Sequence, residues 1–244
     1  MLKIKLTENY TGITISGDFN DLDFLYDSVS YLIKHDNVSD GECVMQNHLY
    51  AFLYDLRHAY EGKRDAILIN NNLNNNSRMW FEFKKKDVTN NNVYFCFNYL
   101  LPDLLLDIIL VKYFIRKINK KDNNIFNSYI NMVNYFYSVA LNSLRDMLAE
   151  TKFNKLKKEL LRSVISDSDF IPRWFEIINC DYINMTKIQR EKKFMQIMDA
   201  IYNYDEYEDY IKIKMECEKI CKEVNCSLDD LHYENYPNDD EIVW

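Results

Sequence analysis

The chain has 244 residues, 48% hydrophobic and 28% charged, with a formal net charge of −8. This is the balance of a folded globular protein of one large domain or two small ones, and it excludes a disordered chain. Only 4 glycines and 3 prolines are present, too few for the tight turns of an all-β sandwich. None of the glycines stands in a GxGxxG or GxxxxGKS/T pattern, so nucleotide binding by either of those routes is excluded as well.

Residues 199–244 hold 14 acidic and 4 basic side chains, against 24 and 26 in the other 198 residues. The acidity belongs to the last segment, and the nearly neutral body offers no field for sequence-independent nucleic-acid binding. Six cysteines in a chain of this length read as reduced thiols in a cytoplasmic protein rather than a disulfide framework. The opening "MLKIKLTENY" lacks the apolar run of a signal peptide. The most apolar stretch, "YLLPDLLLDIILVKYFI", carries Asp103, Asp107 and Lys112, which favours a buried central helix over a membrane span.

In chain order, "LKIKL" (2–6) and "GITIS" (12–16) alternate apolar and polar positions and predict two strands. "GDFNDLDFLYDSVSYLIKH" changes to a helical period through Phe24, Leu25, Val29, Leu32 and Ile33, with Asn20 as the expected N-cap. "NHLYAFLYDLRHAYEG" predicts a second helix with Leu49, Phe52, Leu53, Leu56 and Ala59 or Tyr60 facing the core. Three more strands are expected at "DAILI" (65–69), "RMWFEFK" (78–84) and "NVYFCFNYL" (92–100), joined by the asparagine runs "NNNLNNN" and "DVTNNN", which read as loops. From Pro102 onward every periodic segment is helical, and Ser227 with Asp230 forms a capping pair for a short final helix. The expected fold is α+β: an N-terminal, mostly antiparallel sheet of about five strands with two helices, followed by an all-helical half packed on it. Residues 1–200 are expected to form one domain, with 201–244 a peripheral acidic helical segment.

Gly12, Gly17 and Asp18 at the first strand-to-helix junction, Tyr54, Asp55, Arg57, His58 and Gly62 in "YDLRHAYEGKR", and the strand feeding Pro102 resemble an uncharacterised family of bacterial proteins, a domain of unknown function, over about residues 10–118. The resemblance implies a shared fold for that half and carries no substrate, reaction or site residue.

Five groups of residues are candidates for chemistry or binding. On a helix, Tyr54, Asp55 and His58 share one side, and a carboxylate that orients an imidazole is the start of a general base. The same stretch also reads as a helix end: Arg57 and His58 lie near the negative end of the dipole, Arg57 is spaced to pair with Glu61, and Gly62 suits a left-handed cap. Cys217, Cys221, Cys226 and His232 supply zinc-type ligands, although their spacing is not that of a finger or ribbon, and an apolar helix stripe with thiols as small core residues explains them better. The carboxylates of Asp18, Asp21, Asp23 and Asp27 and the basic face of "KFNKLKKELLR" fit solvated helix surfaces. Finally, Tyr204, Tyr207, Tyr210, Tyr233, Tyr236 and Trp244, interleaved with carboxylates, would form an acidic aromatic surface for a basic protein partner. With no cofactor motif present, the sequence favours a non-catalytic protein-binding or regulatory role, such as an inhibitor or immunity-type protein in bacterial or phage conflict. A hydrolytic or lytic enzyme with an Asp/His pair on the second helix is the alternative.

Overall fold

The chain reverses between β1 (Lys3–Leu6) and β2 (Gly12–Gly17) through a turn in which Tyr10 adopts a left-handed φ of 58°. The Thr7 hydroxyl donates to the Gly12 carbonyl at 3.1 Å and accepts from the Gly12 N–H at 3.0 Å, which closes the turn. The structure, a computed structural model, describes residues 1–34, 40–121, 125–162, 170–231, 237 and 241–244. β4 (Asn91–Leu100) pairs with β2, and β3 (Asp65–Asn70) pairs with the other edge of β4. The sheet is antiparallel throughout, in the order β1-β2-β4-β3.

Among the described residues the sheet has four strands, one fewer than expected. "RMWFEFK" falls in a helix, α3 (Asn75–Phe83), because the asparagine run before it supplies a cap: the Asn74 side chain accepts from the Ser77 N–H at 2.8 Å. Both edges of β4 are taken, by β2 and β3, and the capped helical turn won over pairing with the outer edge of β3. Trp80 and Phe83, three apart, stack with their centroids 5.9 Å apart, as helical spacing requires.

The start of α1 (Phe19–Ile33) also departs from expectation. Asp18, not Asn20, is the N-cap, because Asp18 and Asp21 cap each other reciprocally: each carboxylate accepts from the other's backbone N–H, at 2.9 and 3.2 Å. Leu22, Leu25, Val29, Leu32 and Ile33 are buried, while Phe24 stays partly exposed. α2 (Asp40–Tyr60) buries the expected stripe Leu49, Phe52, Leu53, Leu56 and Ala59. It ends at Gly62 (φ 76°), with the Gly62 N–H bonded to the Ala59 carbonyl and the Lys63 N–H to that of His58, a Schellman cap.

β4 runs directly into α4 (Leu101–Lys121), the central helix, which packs on α1, α2, α6, α7 and α8. Its buried leucines, isoleucines and Phe114 lie around most of its circumference. No helix of the described residues is long and apolar enough to cross a membrane. α5 (Ser128–Ser143), α6 (Glu150–Arg162), α7 (Ile171–Ile183), α8 (Lys187–Tyr202) and α9 (Glu208–Val224) complete the helical half. The two halves are joined by Arg190, which is buried and has no carboxylate partner among the described residues. Its guanidinium instead donates to the backbone carbonyls of Tyr182, Ile183 and Asn9, and so clamps the end of α7 to the β1–β2 turn.

Residues 241–244 return to that same turn. The Thr11 hydroxyl donates to the Val243 carbonyl at 2.5 Å and the Asn9 amide to the Trp244 carbonyl at 2.8 Å. Gly12 is required beneath them: a Cβ there would lie 2.1 Å from the Tyr99 carbonyl oxygen and 2.9 Å from the Trp244 ring.

Candidate functional site

His48, Ala51 and Asp55 recur at intervals of one turn along α2, on a side adjoining its buried stripe. Opposite them, Asp103 and Asp107 lie four apart on α4, so both carboxyls face the same way. Between these helices, with Asn98 and Tyr99 of β4 and the Ile242–Trp244 segment as further walls, is a pocket of about 270 Å³. Its size suits a small molecule, below the range of drug-sized ligands.

The pocket ends on a buried polar cluster. Nε2 of His48 lies 3.3 Å from Oδ1 of Asp107 and 3.9 Å from Oδ1 of Asp103. The other oxygen of Asp107 accepts from the Tyr99 hydroxyl at 2.8 Å, and Asp103 accepts from the Asn179 amide of α7 at 2.7 Å. Asp107 is fully buried, while the His48 side chain keeps 22% exposure. Since Nε2 is itself buried, the part of the ring that reaches the pocket is the edge away from the carboxyls. The contacts of Nε2 and Asp107 Oδ1 fall short of hydrogen-bond geometry. Among the described residues both atoms are left unsatisfied, together with Oδ1 of Asn179 and the Tyr137 hydroxyl.

Burial dominates the protonation of this cluster. It pushes the Asp107 carboxyl well above the carboxylate range, against the Tyr99 hydrogen bond, which favours the ionised form. It raises Asp103 as well, opposed by His48 and Asn179, and it lowers His48, opposed by the negative charge of Asp103. Tyr99 is raised well above its usual range by burial and then by Asp107. Each group is thereby driven toward its neutral form, and the cheapest arrangement of the His48–Asp107 pair holds one proton between them.

Of the residues singled out in the sequence, Asp55 lines the pocket, but its ion-pair partner is Arg64, at 2.5 Å on the rim. The His58 ring instead packs edge-on against Tyr54 with centroids 4.0 Å apart, and neither residue lines the pocket. Arg57 and Glu61 form the expected pair at 3.9 Å. The carboxylate–imidazole arrangement sought at Asp55 and His58 occurs instead at Asp107 and His48. Its signal was present in the sequence: two aspartates one turn apart on one face of an otherwise apolar, buried helix require polar company.

The acidic aromatic surface is not formed as expected. Tyr204 and Tyr210 are buried in the helical core against each other, Phe170 and Trp174, and Tyr207 packs partly on Trp174. The cause is the i,i+3 spacing of these tyrosines, which turns them to the apolar side of the chain as it enters α9. Tyr233 and Tyr236 lie outside the described residues, and Trp244 is a wall of the pocket. For the cysteines, the Sγ atoms of Cys221 and Cys226 are 3.6 Å apart. Burial raises the thiols of Cys217 and Cys221, which disfavours the thiolate a metal needs. Among the described residues no group of three or more His, Cys, Asp or Glu is placed to hold a metal ion, and His232 lies outside them.

Neither a curated protein nor a solved structure matches the chain. A family match covers residues 2–244, extending the resemblance seen over the first half through the helical half. The chain therefore belongs to the family described as Domain of unknown function (DUF6904).

Proposed function

We propose that this protein is an acid–base enzyme of the hydrolytic or lytic class, acting on a small polar molecule held between α2, β4 and the Ile242–Trp244 segment. The observation that carries this reading is that His48 and Asp103 line one pocket with Asp107 buried behind His48, and that His48 Nε2 and Asp107 Oδ1 are buried and unbonded among the described residues. A network that only supports the fold satisfies its buried polar groups. This one leaves several of them open around the groups best suited to exchange a proton. Carboxyls raised and an imidazole lowered by the same burial are the usual means of setting acid and base apart near neutral pH.

The chemistry follows from the sharing of one proton. While the His48–Asp107 pair holds it, the pocket-facing edge of the imidazole carries an N–H and acts as an acid. Once that proton is lost, Nε2–H faces Asp107 and the exposed nitrogen is a base. No serine, threonine or cysteine lines the pocket among the described residues, so hydrolysis here would use water rather than a side-chain hydroxyl or thiol. Asp55 and Arg64 place one carboxylate and one guanidinium at the rim, a pairing suited to a zwitterionic or neutral polar ligand.

The test is turnover of a panel of small nitrophenyl esters, phosphates and glycosides by the wild-type chain and by His48→Gln, with folding checked by circular dichroism. Hydrolysis of at least one member, reduced about 10²-fold or more in a folded His48→Gln protein, is expected. Equal rates in the two proteins, or no turnover of any member, contradict the reading. The protein-docking reading retains one observation of its own, the apolar arm formed by β3 and α3.

A further inference from the structure

The stretch from Gly62 to Val93 stands apart from the rest of the chain. β3 is the outer strand of the sheet, and five of its six residues are exposed. The outer end of β4, Asn91–Val93, is exposed alongside it. α3 has no buried residue and packs substantially on no other described element. Nevertheless the arm is apolar: Ile67, Leu68, Met79, Trp80, Phe83 and Val93 are all exposed, Leu68 at 69% and Phe83 at 75%.

Two physical arguments say that this arm is covered when the protein works. A helix of nine residues is marginal on its own propensity, since isolated helices need about 12–15 residues to persist in water, and α3 obtains little packing from the described body. In addition, natural edge strands are protected by lysine, proline, a bulge or an inward charge. "DAILIN" has none of these at its centre, and its one charge, Asp65, is at its end.

We infer that the arm is a homodimer interface, with β3 of one copy pairing antiparallel with β3 of a second across a two-fold axis. The strand is self-complementary. A two-fold perpendicular to the sheet can be centred on Leu68, which sets Leu68 opposite its own copy, Ile67 opposite Ile69 and Ala66 opposite Asn70 of the second copy. The register joins the three central apolar positions, Ile67, Leu68 and Ile69, to one another and keeps the two Asp65 carboxylates at opposite ends. The area also suffices. The exposed parts of the arm's large apolar side chains amount to about four whole residues, on the order of 700 Å² per copy, close to the ~800 Å² per partner of a stable interface. The paired sheet would have eight strands, and α3 of each copy would lie beside the junction, where Trp80 and Phe83 find cover.

The experiment is sedimentation velocity of the full chain over a dilution series, beside Leu68→Lys and Phe83→Glu, with amide exchange of β3 followed in parallel. Both substituted side chains are exposed, so neither change disturbs the folded monomer. The wild type is expected at twice 29.4 kDa, with each variant weakening association at least about tenfold and leaving the β3 amides unprotected. A wild-type monomer at every concentration overturns the inference, and if its β3 amides are nonetheless protected, a segment of the same chain is the cover. A dimer untouched by both substitutions overturns it too, by placing the interface elsewhere.

Discussion

Asp107 has a raised pKa, and His48, 3.3 Å away, a lowered one, so the two groups link to stability with opposite signs. A carboxyl raised in the folded state contributes stability that is full below its unfolded pKa of about 3.9 and is lost as the pH climbs through the folded value. A lowered imidazole contributes above its unfolded value of about 6.5, and its contribution is lost on acidification. Asp107→Asn keeps an acceptor for the Tyr99 hydroxyl and removes only the carboxyl's titration. The variant should therefore gain stability relative to the wild type as the pH is raised from 5 to 8, a trend that urea denaturation at the two pH values will show. A constant difference would mean that Asp107 is not the buried, proton-holding group described here. Residues of this kind are poorly legible in a sequence. Asp103 and Asp107 were visible as charges in an apolar run, but their partner His48 sits more than fifty residues earlier, and only the crossing of α2 and α4 brings the three together. Arg190 was equally hidden, because its partners are backbone carbonyls, which no residue pattern announces.

At the level of elements, local signals served well where a cap or a period acted alone. The stripe of α2, the Schellman cap at Gly62 and the Ser227–Asp230 pair all follow from neighbours in sequence. They failed where two local options competed: Asp18 displaced Asn20 as the cap by making two reciprocal bonds, and the segment at 78–84 became a helix behind the Asn74 cap instead of a strand. The glycines at the first junction illustrate how a residue carrying the family resemblance has a plain structural cause. Gly12 lies where β2, β4 and the Trp244 ring meet, and a Cβ at Gly17 would lie 2.9 Å from the Asp21 Cβ and 3.0 Å from Leu2. Gly12→Ala forces its methyl into the Tyr99 carbonyl, so a loss of about 2–3 kcal/mol is expected in thermal or urea unfolding. The Trp244 fluorescence should change as the ring is lifted from the pocket wall. A variant as stable as the wild type would show that the terminal segment does not seat as described.

For the molecule as a whole, composition and charge anticipated the class of fold and the central apolar helix, and they gave no access to the pocket. A pocket between two helices, a strand and the last residues of the chain depends on contacts more than a hundred residues apart, and the sequence records these only as unremarkable side chains. The functional proposal rests on one physical claim: His48 and the two aspartates of α4 form a single proton-sharing unit. The most direct measurement is an NMR pH titration of the His48 imidazole in the wild type and in Asp103→Asn. Burial lowers the wild-type titration below the ordinary imidazole range, and the negative charge of Asp103 partly restores it, so the account predicts a low pKa that moves lower still in Asp103→Asn. A wild-type His48 that titrates near 6.5, with no response to the loss of Asp103, would contradict it.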